Sequence, residues 1–283
     1  MATKTDHMLP PTQGQLRIVA ALACELKSLI ARLQLSKIPQ LRAFDVYTNR
    51  EHTIYALVSG VGKVASSAAT AFLHAFAPHP CPGYFNLGIA GGAQAELGQV
   101  YQIGKITDVA TQTNYYPSFI SKPTIEVASL HTVDQAQSTY PDLGLVDMEA
   151  SGFFATARRL VTQEHIEVCK IGSDNLQSPT HRITSSQVVQ WVQAQWPYIE
   201  TRCQRLLAYS TEQLTYQTLI EQALTQVKQQ CRCSTYQQHQ LRELLRRWQV
   251  LNSDQPLPLQ ACTNASQLIR RLTEQLETQA YDW

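Results

Sequence analysis

VDMEASGF, residues 146–153, sets two carboxylates, Asp147 and Glu149, inside an otherwise apolar stretch. Only 16% of the chain is charged, so two acids where a strand hands over to a helix need a reason. One reading is a helix start, where carboxylates complement exposed N–H groups and the helix dipole. The other is a ligand site at the end of a buried strand. The neighbouring segments bear on that choice.

Around this stretch short apolar runs alternate with helical patterns. LRIVAAL (16–22) leads into CELKSLIARLQ, TIYALVSG (53–60) into GKVASSAATAFLHAF, and GYFNLGIAGG (83–92) into a glycine turn. QVYQIGKITDVAT and IEVASL read as further strands, LGLVDMEA precedes the helical SGFFATARRL, and IEVCKIGSD (166–174) closes the series. VVQWVQAQWPYIETRCQRLLAYS reads as one long helix. The alternation predicts an α/β domain with a largely buried sheet over residues 15–210, after a loose polar tail at 1–14. From residue 211 the chain turns rich in Gln, Thr and Leu, with three expected helices at 212–230, 235–251 and 265–279. Ser234 and Asn264 suit their caps, and NSDQPLPLQ separates the last two.

The 283 residues hold 23 Lys plus Arg against 22 Asp plus Glu, a net charge of +1. That balance argues against nucleic acid or an anionic membrane as partner. No apolar run has the length of a membrane span, and the first residues lack a secretion signal's apolar core, so a cytoplasmic protein with reduced thiols is expected. The seven cysteines include one close pair, Cys231-Arg-Cys233, a weak metal signal alone.

In open α/β sheets ligands bind at the carboxyl ends of strands. Glu25 follows the first strand, SGVGKV and NLGIAGG end the next two, and Glu149 and Asp174 follow the later ones. SGVGKV lacks the spacing of a P-loop. Singly, Glu25 reads as a solvated first-turn acid and Asp174 as a turn cap.

Together, ALACELKSLI, VSGVGKVASSAATAFL, NLGIAGG, VDMEASGFFA and CKIGSD, in that order, resemble the nucleoside phosphorylase and nucleosidase superfamily, most closely the methylthioadenosine/S-adenosylhomocysteine nucleosidases. The resemblance spans about residues 16–210, leaving the C-terminal helices outside it. It implies a three-layer α/β/α domain with a mixed central sheet, plus a small helical appendage. It also implies a purine nucleoside as ligand, no cofactor or metal, and a homo-oligomer, a dimer by preference. By the same resemblance Asp174 is the acid facing the purine N7 and Glu25 activates water. Glu149 takes the ribose hydroxyls with Met148 against the sugar, and Gly88, Ile89, Ala90, Gly91, Val61 and Ser173 line the site. Lys170 stands where the relatives often carry arginine near the water, and Asp147 keeps the helix-start role. No arginine precedes NLGIAGG, so water is expected rather than phosphate. The alternatives are a phosphorylase or a nucleoside-binding protein without turnover. Ile89 replaces a small polar residue, the 99–142 segment is short, and VASLHTVD, with His131 and Thr132, stands where a base-packing phenylalanine would be.

Overall fold

The computed structural model describes residues 13–136, 140–141, 144–252, 255–259 and 264–278. The chain runs β1 (Leu16–Ala20), α1 (Ala23–Arg32), β2 (Ser36–Lys37), β3 (Asp45–Thr48), β4 (Ile54–Val58), α2 (Lys63–Phe76) and β5 (Gly83–Gly91). There follow β6 (Val100–Asp108), β7 (Thr113–Tyr115), β8 (Val127–Thr132), β9 (Leu145–Asp147), α3 (Ala150–Ala157) and β10 (Ile166–Asp174). Helices α4 (Ser185–Ala194), α5 (Trp196–Gln230), α6 (Thr235–Leu251) and α7 (Ala265–Glu277) complete it. The described residues divide into two units, with the boundary after Thr211, inside α5.

In the first unit the strands form one mixed ten-stranded sheet ordered β10-β6-β8-β9-β5-β1-β4-β3-β2, with β7 paired to β6. A further parallel pairing joins β10 to β5, so the path β5-β10-β6-β8-β9 closes on itself. Strand alternation splits the core into two layers, because successive side chains leave opposite faces. Leu16, Ile18, Phe85, Leu87, Cys169 and Ile171 pack with Leu26 and Leu29 of α1 and Val188 and Val192 of α4. Val19, Tyr84 and Val168 pack on the other side with Leu73 of α2 and Phe153 and Phe154 of α3. The result is the expected three-layer arrangement.

The expected helices at 188–210 and 212–230 divide elsewhere: the first is split into α4 and the start of α5, and α5 runs on to Gln230 with no stop near residue 211. The break falls at Gln195, whose backbone caps α4, and α5 restarts at Trp196-Pro197, where proline's missing N–H costs nothing. The strands β2, β3 and β7 were not expected. Gly14 and Gln15 are tied by their N–H groups to Thr211 Oγ1 (3.1 Å) and Ser210 Oγ (2.9 Å). The rest of the expected tail, residues 1–12, lies outside the described residues, as does Gln279.

The second unit is a helical cluster. Ile220, Leu224 and Val227 of α5, Leu241, Leu245 and Trp248 of α6, and Leu268, Leu272 and Leu276 of α7 share one core at helical spacing. Ser234 Oγ accepts from Gln237 N–H (3.2 Å) and Asn264 Oδ1 from Ser266 N–H (2.8 Å), as the cap positions required. Cys231 and Cys233 are not joined in a disulfide, and their Sγ atoms lie 4.0 Å apart.

Two features of the sheet matter for the site. Gly91 pairs with both Val146 of β9 and Asp174 of β10, so three strand ends meet there. Between Gly172 and Asp174 the β5–β10 register steps by one residue, with Ser173 as the extra member of a bulge.

Candidate active site

A cavity of about 210 Å³ opens at this junction, lined among others by Glu25, Met148, Glu149, Tyr140, Ser173 and Asp174. Each acid arrives by a distinct local device. Glu25 sits in the first turn of α1, where its Oε2 reaches back to the Leu22 N–H (2.8 Å), the acceptor half of a capping box. Its Oε1 accepts the Ile89 N–H of β5 (2.9 Å), which fixes the carboxylate across two elements. Glu149 follows β9, and its Oε1 accepts the Gly62 N–H at 2.8 Å. Gly62 has φ +103°, a conformation that glycine adopts freely and that aims this N–H into the cavity rim. Asp174 ends β10 beyond the bulge.

Asp147 lines the floor, and Lys170 stands beneath it. Asp147 accepts from Ala150 N–H (2.8 Å), Glu149 N–H (3.3 Å) and Thr132 Oγ1 (2.7 Å), so it fastens the start of α3. Its Oδ2 also lies 2.9 Å from Lys170 Nζ, with Lys170 only 1% exposed. Thr132 is committed to this floor, since its Oγ1 also accepts from Ser151 N–H (3.1 Å).

Gly88 and Lys170, expected among the ligand contacts, lie behind the wall and do not line the cavity. A methyl on Gly88 would stand 3.0 Å from Lys170 Nζ and 3.2 Å from Glu25 Oε1, so glycine there leaves room for the lysine–glutamate approach. Val61, Met148, Ile89, Ala90, Gly91 and Ser173 do line the cavity, with Glu25, Glu149 and Asp174.

Burial sets the protonation of the acids. It pushes Glu25 up to about 7, against the charge of Lys170 and the two backbone N–H bonds, with Glu149 adding to the rise. Burial also raises Glu149, opposed by Lys170 and helped by Asp147. For Lys170 burial works against the charged form, but Asp147, Glu149 and Glu25 outweigh it and hold the ammonium above its usual range.

Asp174 is surrounded by hydroxyls. Ser173 donates to Oδ1, while Tyr140 and Thr180 (2.7 Å) donate to Oδ2. The turn that Asp174 was weighed to cap is closed instead by Asn175, whose Oδ1 accepts from Gln177 and Ser178 N–H (3.0 and 2.9 Å). Sequence reading missed Tyr140 and Thr180. An isolated tyrosine in an irregular segment has no periodicity to mark it, whereas Ser173 was visible through its place beside Asp174. Among the described residues no group of three or more His, Cys, Asp or Glu is arranged to hold a metal ion.

A closed turn of mixed sheet between two helical layers, with acids at the strand ends, defines the fold of the nucleoside phosphorylase and nucleosidase class. Among solved structures the chain is similar to the 5′-methylthioadenosine/S-adenosylhomocysteine nucleosidase of Campylobacter jejuni, at 13% identity and a TM-score of 0.55 over 68% of this chain and 99% of that one. It is also similar to the 5′-methylthioadenosine nucleosidase of Arabidopsis thaliana, at 16% identity and a TM-score of 0.51 over 72% of this chain and 96% of that one. A third is the Neisseria meningitidis 5′-methylthioadenosine/S-adenosylhomocysteine nucleosidase in complex with methylthio-immucillin-A, at 16% identity and a TM-score of 0.50 over 71% and 96%. No family model and no curated protein matches the sequence.

Proposed function

We propose that the first unit hydrolyses the N-glycosidic bond of an adenosine-type nucleoside, with water as the nucleophile. The observation that carries this reading is the convergence of Glu25, Glu149 and Asp174, from three separate strand ends, on one cavity. Cleavage builds positive charge on the ribose and negative charge on the leaving base, so it calls for acids on both sides of the bond. Glu25, poised near 7 by its burial, takes a proton from water as the water oxygen attacks C1′. The C1′–N9 bond breaks, and Asp174 gives its proton to the purine N7, so the base departs neutral. Glu149 receives the ribose hydroxyls and its charge favours the cationic sugar. Ala90 and Gly91 form an apolar floor for the base.

Water is favoured over phosphate by charge. Among the described lining residues none is a cation, and the buried Lys170 is committed to Asp147. A phosphate dianion would therefore enter a cavity of carboxylates without a counter-charge.

The test is incubation with methylthioadenosine, S-adenosylhomocysteine, adenosine and inosine, with and without phosphate, following free base. Release without phosphate is expected, with losses of about 100-fold or more in Glu25→Gln and Asp174→Asn. Base release that requires phosphate would replace water by phosphorolysis. Binding of a nucleoside with no release under any condition would leave a binding protein.

A further inference from the structure

The residues around Asp174 carry one more step, which rests on the assignment of Asp174 to the purine N7. Oδ2 of Asp174 already accepts two hydroxyls, one of them from Tyr140. The phenol ring stands over the bare backbone of Gly91. A methyl built on Gly91 would lie 2.8 Å from Tyr140 Cε1, and Asp174 Oδ2 crowds the same point. A purine with N7 on Asp174 and its face on Ala90–Gly91 needs the volume that this ring holds. Of the three hydroxyl donors, Ser173 is adjacent in the strand and 2% exposed, so it is fixed by the backbone. Thr180 belongs to the short 3-10 turn Thr180–Arg182 and brings no ring. Tyr140 is only half-buried, lies outside regular structure, and reaches the acid by its side chain.

We propose that Tyr140 is a displaceable occupant of the base subsite, which the purine of the substrate replaces and which retakes Asp174 when the free base leaves. The competition costs substrate and product the same factor in affinity, but the product has less affinity to lose. A nucleoside keeps its hold through Glu149 and the sugar while it displaces the phenol. The free base has lost that hold and meets Tyr140 alone. Any ligand that needs the subsite open binds with its intrinsic affinity reduced by the fraction of chains in which Tyr140 stands aside. Tyr140 thus weakens nucleoside and free base by the same factor, raising KM and easing product inhibition together while leaving kcat at saturating nucleoside unchanged.

The probe is adenine, titrated calorimetrically into the full chain and its Tyr140→Phe and Tyr140→Ala variants, beside its inhibition of base release. Tyr140→Ala removes both ring and hydroxyl, and adenine should bind about tenfold tighter or more. Tyr140→Phe keeps the ring but loses the bond to Asp174. A gain of a few-fold is expected there, and this variant carries the test if the alanine variant does not fold. Adenine binding by Tyr140→Ala with none by the parent chain would also support the proposal. If the parent releases base and adenine binds both variants equally well or more weakly, Tyr140 is an ordinary wall of the site and the proposal fails alone. If no variant binds adenine or releases base from any nucleoside, the nucleosidase reading fails and takes the proposal with it.

Discussion

Glu25 is a carboxyl kept from water by the fold yet held close to a lysine, and its behaviour with pH follows from that conflict. A general base works ionised, so kcat/KM should rise with pH through about 7 and level off above, measured on the nucleoside that proves best. The same shift bears on stability. The folded chain keeps the Glu25 proton up to about 7, whereas the ordinary value is 4.5. Between those values the folded state binds more protons, so stability falls as pH rises, by on the order of 3 kcal/mol from this group. Denaturant melts at pH 5 and pH 8 should show that fall in the parent and a smaller one in Glu25→Gln, where Glu149 still titrates from a raised value. Lys170→Met leaves Asp147, Glu149 and Glu25 without their buried counter-charge. It should cost about 3–5 kcal/mol in melting experiments and move the acid limb of the activity profile to higher pH. Sequence matching could find the acids and the lysine, because each is one residue in a short block. It could not place Lys170 behind the wall, since burial and partner choice depend on Asp147 across the sheet.

Helices α2 and α3 touch backbone to backbone at Gly152, where a methyl would come within 2.0 Å of the Lys63 carbonyl oxygen. Ser67 Oγ also donates to the Gly152 carbonyl at 3.0 Å. Gly152→Ala should therefore push the helices apart and lower stability by about 1–3 kcal/mol, read from denaturant midpoints. At α6 the expectation is smaller: Ser234→Ala should cost about 1 kcal/mol, as a lost cap does. Most elements were legible because buried strands and amphipathic helices impose different periods on the apolar residues. The break at Gln195 was not. Val188, Val192, Trp196, Ile199, Cys203 and Leu206 keep a three-to-four spacing straight through it, all facing one core, so the period hides the interruption. Pro197 was the only local mark. Strands β2 and β7 escaped for the opposite reason: Ser36 and Lys37 are exposed, as are Thr113 and Asn114, so no apolar alternation signals them.

The cavity belongs entirely to the first unit, and the second has an apolar core of its own. A chain ending after Thr211 is therefore expected to retain base release, assayed beside the full chain, even if it is less stable for want of the rest of α5. Among the described residues no helix is long and apolar enough to cross a membrane. We propose a homodimer as the working form. Val64, 79% exposed in the first turn of α2, is an apolar side chain that such an interface would cover, and light scattering at twice the chain mass is the expected outcome. At this scale the fold could be read because ordered motif blocks survive separately. Tyr140 could not, because its position at the acid is set by the closed sheet and by no neighbour in sequence.

The one-residue step at Ser173 has a consequence for inheritance. Point substitutions along β10 can alter side chains but leave the step, and so the aim of Asp174, in place. Removing the Ser173 codon would instead take out the extra residue, so that Gly172 and Asp174 become neighbours in regular register with Ala90 and Gly91 and the acid loses the hydroxyl beside its Oδ1. A single deletion could thus straighten this strand end and strip one donor from the acid while the core and the appended helices stay unchanged.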